Sequence, residues 1–160
     1  MITEVLGWGL EPTMVTTDAW YSSRENLKFV KNKDLGCLMG IAKNRKVFIN
    51  GKNYTQVRHL EIPDEGLLVH LKNFGQVKVF CRTFRNEESR FYIMFQAEED
   101  ELIQITQPKF QTLHSIHWGI ECYHRAIKQV CGIERFMIRT TGAINTHFFS
   151  AIRAFTKLEF

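Results

Sequence analysis

The sequence lacks long hydrophobic runs, cysteine scaffolds, internal repeats and low-complexity tracts. No apolar stretch approaches the roughly 18 residues that a membrane-spanning helix requires. Residues 1–4 have neither the basic start nor the apolar core of a signal peptide. The four cysteines are widely spaced and match no disulfide framework, so reduced thiols are expected. These absences favour a cytoplasmic protein with no membrane contact.

Charge is unevenly distributed along the 160 residues, a length that predicts one domain with a real core. Residues 24–58 hold nine Lys or Arg against two Asp or Glu, and residues 109–160 hold seven against three. Residues 59–101 are acidic, with five against nine. Two basic stretches flanking an acidic middle suit a polyanion such as DNA. They are also typical of ordinary solvated faces, which is the interpretation that charge alone favours.

Hydrophobic periodicity predicts a mixed α/β chain. The expected strands are residues 13–18, 35–41, 46–49, 67–71, 76–84 and 91–95. The expected helices are residues 20–33, capped by Ser22 or Ser23, 110–130, ended by Gly132, and 143–158. Asn50-Gly51 is a strong hairpin-turn signal because both positions tolerate positive φ.

Two carboxylates stand where metal-dependent chemistry would need them. Asp18 closes the first expected strand, and Glu121 lies in the long helix. Such groups can converge on divalent ions. Arg125 and Lys128 follow Glu121 by four and seven residues and therefore share its helical face, where they could hold DNA phosphates. Each residue also has an ordinary alternative: Asp18 as a turn or cap residue, and Glu121 with Arg125 as a surface ion pair.

Two sequence blocks carry a family resemblance. Residues 17–23, Thr-Asp-Ala-Trp-Tyr-Ser-Ser, resemble the second-aspartate motif of bacterial insertion-sequence DDE transposases. Residues 118–129 are similar to that family's third-carboxylate motif, Tyr-x2-Arg-x3-Glu-x6-Lys. Glu121 and Lys128 keep its Glu-to-Lys spacing, whereas His114 and His117 stand at its Tyr and Arg positions.

The resemblance implies an α/β fold with an RNase H-like core. Residues 1–160 would be a partial catalytic domain, and residues 46–96 a β-rich insertion before the C-terminal helices. In this family the first aspartate lies on the first core strand. Only Glu4 and Glu11 are acidic before Asp18, so the resemblance implies an incomplete core that lacks its first strands and that aspartate.

The resemblance also implies a function. Asp18 and Glu121 would be the catalytic, metal-binding residues, with Mg²⁺ or Mn²⁺ weakly held. The parent activity is metal-dependent DNA cleavage and strand transfer in transposition, expected to be inactive in this chain. The partners would be transposon-end DNA and either an intact transposase or a second copy, which makes the protein DNA-associated. The expected DNA-binding residues are Lys43, Arg45, Lys46, Arg125 and Lys128.

Two alternatives stay open. The chain could be a non-catalytic DNA-binding remnant, which the same basic stretches would serve. It could instead hold zinc through His114, His117 and Glu121, which are spaced i, i+3 and i+7 on one helical face. Cys122, His124 and Cys131 lie nearby in sequence, although no finger-like cysteine pair is present.

Overall fold

The computed structural model describes residues 2–49, 54–84, 88–96, 99–102, 104–137 and 139–159. The chain forms two compact units, Met1–His114 and Ser115–Phe160. The helix α3 (Gln107–Gln129) contributes its first residues to one unit and the remainder to the other. None of the helices in the described parts has the length and hydropathy that crossing a bilayer would need.

The first unit is built on a five-stranded mixed sheet in the order β1-β2-β7-β6-β5. β1 and β2 are parallel, and every other neighbouring pair is antiparallel. A separate pair, β3 and β4, is antiparallel, and Phe48 bridges to His70 of β5. The elements of this unit before α3 are α1 (Ile2–Gly7), β1 (Met14–Thr17), α2 (Arg24–Lys31), β2 (Gly36–Ile41), β3 (Lys46–Val47), β4 (Thr55–Gln56), β5 (Leu67–Leu71), β6 (Gly75–Thr83) and β7 (Ser89–Phe95).

Strand β2 lies at the centre of the core because all six of its residues are buried. Helix α2 packs against it, with Leu27 and Val30 each 1% exposed. Burial raises the pKa of the Cys37 thiol on β2 far above its ordinary value, so this cysteine stays protonated. A strand covered on both faces tolerates no polar alternation, which explains its continuous apolar sequence.

A short 3₁₀ helix, Ala19–Tyr21, crosses close over β2. The approach is at Gly40, where an added Cβ would lie 2.7 Å from the backbone nitrogen of Ala19. Real Cβ atoms do not come that close to backbone, so only glycine fits without a shift. Gly40 therefore lets the segment after β1 lie directly against β2.

The second unit is a helical pair formed by the later part of α3 and by α4 (Thr141–Glu159). Ile127 and Ala151 are its buried residues, and Tyr123 meets Phe155 edge-on at 4.8 Å. At the end of α3, Gly132 has φ +65° and the Ile133 amide donates to the Ile127 carbonyl. The left-handed glycine turns the chain away from the helix axis, which confirms the predicted stop at Gly132.

The predicted fold class is confirmed as a mixed α/β chain with a mixed sheet and C-terminal helices, consistent with an RNase H-like domain. The strands predicted at 13–18, 35–41, 67–71, 76–84 and 91–95 are β1, β2, β5, β6 and β7, whereas only residues 46–47 of the predicted 46–49 form a strand, β3. The predicted helix 20–33 is wrong in its first turn, because Ser23 has extended backbone and its hydroxyl caps α2 at the Asn26 amide. The structure adds α1 and β4, which the sequence analysis did not predict. β3 and β4 pair as a hairpin would, but Asn50 and Gly51 lie outside the described residues.

We predict that Gly40→Ala destabilises the first unit by about 1–3 kcal/mol, since the new methyl group meets backbone that cannot rotate away. Urea unfolding followed by circular dichroism measures the change. The matched control is Gly7→Ala in the same unit, where a Cβ meets nothing within 4 Å; it should shift stability by no more than about 0.5 kcal/mol. Equal effects of the two substitutions would show that the close crossing is wrong.

Candidate active site and nucleic-acid interface

Asp18 follows the carboxyl end of β1 and is exposed. Its Oδ1 accepts a hydrogen bond from the Trp20 amide at 3.0 Å, so the carboxylate caps the 3₁₀ helix. Farther on, the Asn26 side-chain amide donates to the Tyr21 carbonyl at 3.0 Å and ties that helix to α2. The cap uses one carboxylate oxygen in a fixed direction. The ordinary cap role is therefore present, and it leaves a second oxygen for a ligand.

The basic residues after β2 lie in a loop held by its backbone. The Arg45 amide donates to the Ala42 carbonyl at 2.9 Å, which closes a turn. The Arg58 amide donates to the Lys43 carbonyl at 3.0 Å, and the Val57 amide donates to the Arg45 carbonyl at 2.9 Å. Because β1 and β2 are parallel, their carboxyl ends lie at the same end of the sheet. Asp18 and this loop therefore emerge at that end, within the same unit.

Glu121, Arg125 and Lys128 are exposed on α3 in the second unit. The Lys128 ammonium pairs with the Glu134 carboxylate at 2.7 Å, and both side chains are at least half exposed. An exposed pair of this kind is worth at most about 1 kcal/mol, so it can give way to a phosphate. Asp18 and Glu121 belong to different units, and their approach to each other stays a prediction.

The His114 ring is buried, with 3% of the residue exposed. Its Nδ1 lies 2.7 Å from an Arg82 Nη1 and its Nε2 lies 3.1 Å from the Tyr92 hydroxyl. A guanidinium only donates, so Nδ1 is the acceptor and the proton is on Nε2. Burial raises the pKa of the Tyr92 hydroxyl, which keeps that partner protonated. Both ring nitrogens are thus engaged.

This geometry runs against the zinc alternative. A zinc ligand needs a ring nitrogen with a free lone pair, and the one on His114 faces the Arg82 guanidinium. Within the described ranges, no group of three or more His, Cys, Asp or Glu residues is placed to hold a metal ion. Arg82 and Tyr92 could not be recognised from the sequence as partners of His114, because they lie 32 and 22 residues away and no local pattern joins them.

A divalent ion fits the described carboxylates only in part. Oxygen ligands are what Mg²⁺ and Mn²⁺ prefer, and Asp18 and Glu121 are exposed carboxylates that can supply them. A two-metal site needs further ligands to hold both ions. Each unit therefore contributes one candidate ligand, and the described residues of neither unit form a metal-holding group by themselves.

A family model described as "Transposase DDE domain" matches residues 1–156, nearly the whole chain. The chain belongs to the transposase DDE domain family. No curated protein and no solved structure matches it. Members of this family act on DNA and generally use divalent metal ions. The resemblance in the sequence is thereby confirmed at the level of the family.

We predict that the purified transposase-family chain carries no stoichiometric zinc and gains no thermal stability from added zinc, because the His114 ring nitrogens are taken. Elemental analysis and thermal unfolding with and without zinc measure this. In contrast, His114→Ala should cost about 2–4 kcal/mol, since it opens a cavity and leaves the Arg82 and Tyr92 groups without this partner. One zinc per chain that disappears in His114→Gln would contradict the prediction.

Proposed function

We propose that this chain is part of a DDE transposase catalytic domain in which Asp18 and Glu121 are two of the metal-binding carboxylates. The observation that carries the proposal is Asp18 itself. Its carboxylate is exposed at the carboxyl end of β1, beside the end of the parallel strand β2, within a match to the family that spans residues 1–156. Fixed carboxylates at strand ends are suited to hold ions for phosphoryl transfer.

The bound ion, Mg²⁺ or Mn²⁺, would activate the attacking oxygen and stabilise the charge on the leaving oxygen of the phosphodiester. Asp18 is oriented for its part by the Trp20 amide, which fixes the direction of one oxygen. Arg125 and Lys128 lie on the same face of α3 as Glu121 and would hold the phosphates of the DNA end. Lys43, Arg45 and Lys46 would add phosphate contacts at the end of the sheet where Asp18 emerges.

We infer that these 160 residues alone do not cut or join DNA. The acids that precede Asp18 are Glu4, which lies within α1, and Glu11, which lies between α1 and β1. Neither stands on a strand, where the family's first aspartate is expected. β1 is also an edge of its sheet, with strand partners on one side only among the described residues. A further strand could add at that edge, and it would bring the third carboxylate beside Asp18.

The incomplete ligand set favours a second candidate function, a non-catalytic DNA-binding protein that competes with an intact transposase or joins it. The exposed β1 edge and the basic residues support this role without requiring catalysis. Both candidates share DNA as the partner, and they differ in whether a completing strand restores strand cleavage.

DNA binding should fall steeply with salt and depend little on sequence, because phosphate contacts release counterions. Fluorescence anisotropy with duplexes of two unrelated sequences, between low and moderate salt, measures both properties. Replacing Arg125 and Lys128 by Gln should lower the slope of log K against log salt by about 0.9 per lost duplex contact. Binding that is unchanged by salt or by these substitutions would remove phosphate contact as the cause.

Cleavage should be absent from the chain alone with either Mg²⁺ or Mn²⁺, since an incomplete set of carboxylates leaves at least one ion poorly held and the leaving oxygen unstabilised. The assay is nicking of supercoiled and oligonucleotide substrates. Restoring an in-frame upstream segment that encodes a strand-borne aspartate should restore activity, and Asp18→Asn should abolish it again. Nicking by the chain alone that is lost in Asp18→Ala would overturn this inference.

A further inference from the structure

A groove of about 700 Å³ opens on the first unit, lined from four separate parts of the chain. These are the start of α2, the end of the loop after β2 with the first residue of β3, the residue before β4, and the turn between β5 and β6. Four of its lining side chains are cations: Arg24, Arg45, Lys46 and Lys72. Cations that are distant in sequence but share one concave surface concentrate positive potential there.

Among the described lining residues, one is a carboxylate, Glu25. It is engaged by Arg24, whose Nε and Nη2 donate to Oε1 at 3.1 and 2.8 Å. A backbone hydrogen bond and the Arg24 guanidinium lower the pKa of Glu25, so it remains ionised at neutral pH. Three cations remain, and no ion pair within the described ranges occupies them. The described lining of the groove therefore carries a net positive charge.

An aromatic side chain completes the surface. Tyr54 lines the groove and is 46% exposed. Phe48 supports its ring from the side, with ring centroids 5.3 Å apart. Asn73, which also lines the groove, occupies a left-handed turn with φ +61°, and Ser23 caps the positively polarised start of α2. Cations beside a half-exposed ring are the chemistry that binds a polynucleotide strand, through phosphates and through stacking.

We propose that this basic groove binds the sugar-phosphate backbone of one DNA strand, with Arg45, Lys46 and Lys72 on phosphates and the Tyr54 ring against a sugar or base. Its volume falls in the range of about 300–1,000 Å³ that holds a compact ligand, which matches a short piece of one strand. The inference rests on the proposed function for the identity of DNA as partner. It adds Arg24, Lys72 and Tyr54, which are distant in sequence from the predicted DNA contacts on α3.

Glu25 weakens the binding of a phosphate in the groove. Its carboxylate repels an incoming phosphate and competes for Arg24. Removing that charge should therefore tighten binding, which an ordinary solvated surface far from the DNA would not show. A gain of affinity also cannot be caused by misfolding, so Glu25→Gln is the more decisive substitution.

The test is fluorescence anisotropy of the whole chain with a short labelled single-stranded DNA over a salt series. Lys72→Gln should weaken binding several-fold and lower the slope of log K against log salt by about 0.7, the value for one lost single-strand contact. Glu25→Gln should tighten binding several-fold. Lys33→Gln is the matched control, because Lys33 is an exposed cation of the same unit outside the groove; it should change affinity by less than about two-fold.

Substitutions at Tyr54 test the contribution of stacking to binding separately from that of charge. Tyr54→Phe keeps the ring and should preserve binding, whereas Tyr54→Leu should weaken it by about five-fold or more. If Lys72→Gln and Glu25→Gln both match Lys33→Gln while Arg125→Gln weakens binding, the groove is an ordinary solvated face and the inference falls, though the proposed function stands. If the wild-type chain shows no salt-dependent DNA binding, the proposed function falls with it.

Discussion

The first unit depends on the parallel pairing of β1 with β2 and on the close contact of Ala19 with Gly40. The register pairs Thr17 with Met39, so both strands finish at the same end of the sheet. Gly40 then allows the 3₁₀ helix to lie against β2, and Asp18 caps that helix. The position of the carboxylate is thus fixed by a strand register, a missing side chain and one hydrogen bond. Bulk at any of these points would displace the group that carries the proposed chemistry.

The sheet also shows how the β-rich stretch relates to the expected core. Residues 46–96 were expected to be an insertion, and this stays a prediction; within them β7 pairs with β2 from Cys37 to Ile41 and continues the same sheet through β6 and β5. β2 is buried on every residue because strands cover both of its edges and α2 packs on it. The other end of the sheet is different. β1 keeps an open side among the described residues, and this asymmetry favours completion of the sheet by another segment or chain.

Local signals in the sequence predicted most elements and failed where the determinant was distant. The helix stop at the left-handed Gly132 and the cap at Ser23 follow from residue types within a few positions. β4 is two residues long and exists only through its pairing with β3, so no periodicity could indicate it. In the same way, His114 could not be recognised as a buried partner of Arg82, because i+3 and i+7 spacing is identical for a metal site and for a packed helix face. The resemblance pointed to Asp18 and Glu121, which belong to separate units, so their approach stays a prediction.

The two interpretations of Asp18, a helix cap and a metal ligand, are compatible and support each other. A cap holds Oδ1 on the Trp20 amide, which removes side-chain freedom that a metal site would otherwise have to restrict on binding. The exposed setting keeps the remaining oxygen in water and available to an ion. A freely rotating carboxylate at the same strand end would bind a divalent ion less well, since preorganised ligands lose less entropy. The local bond that makes Asp18 look ordinary is therefore also what makes it a suitable ligand once the remaining carboxylates are supplied.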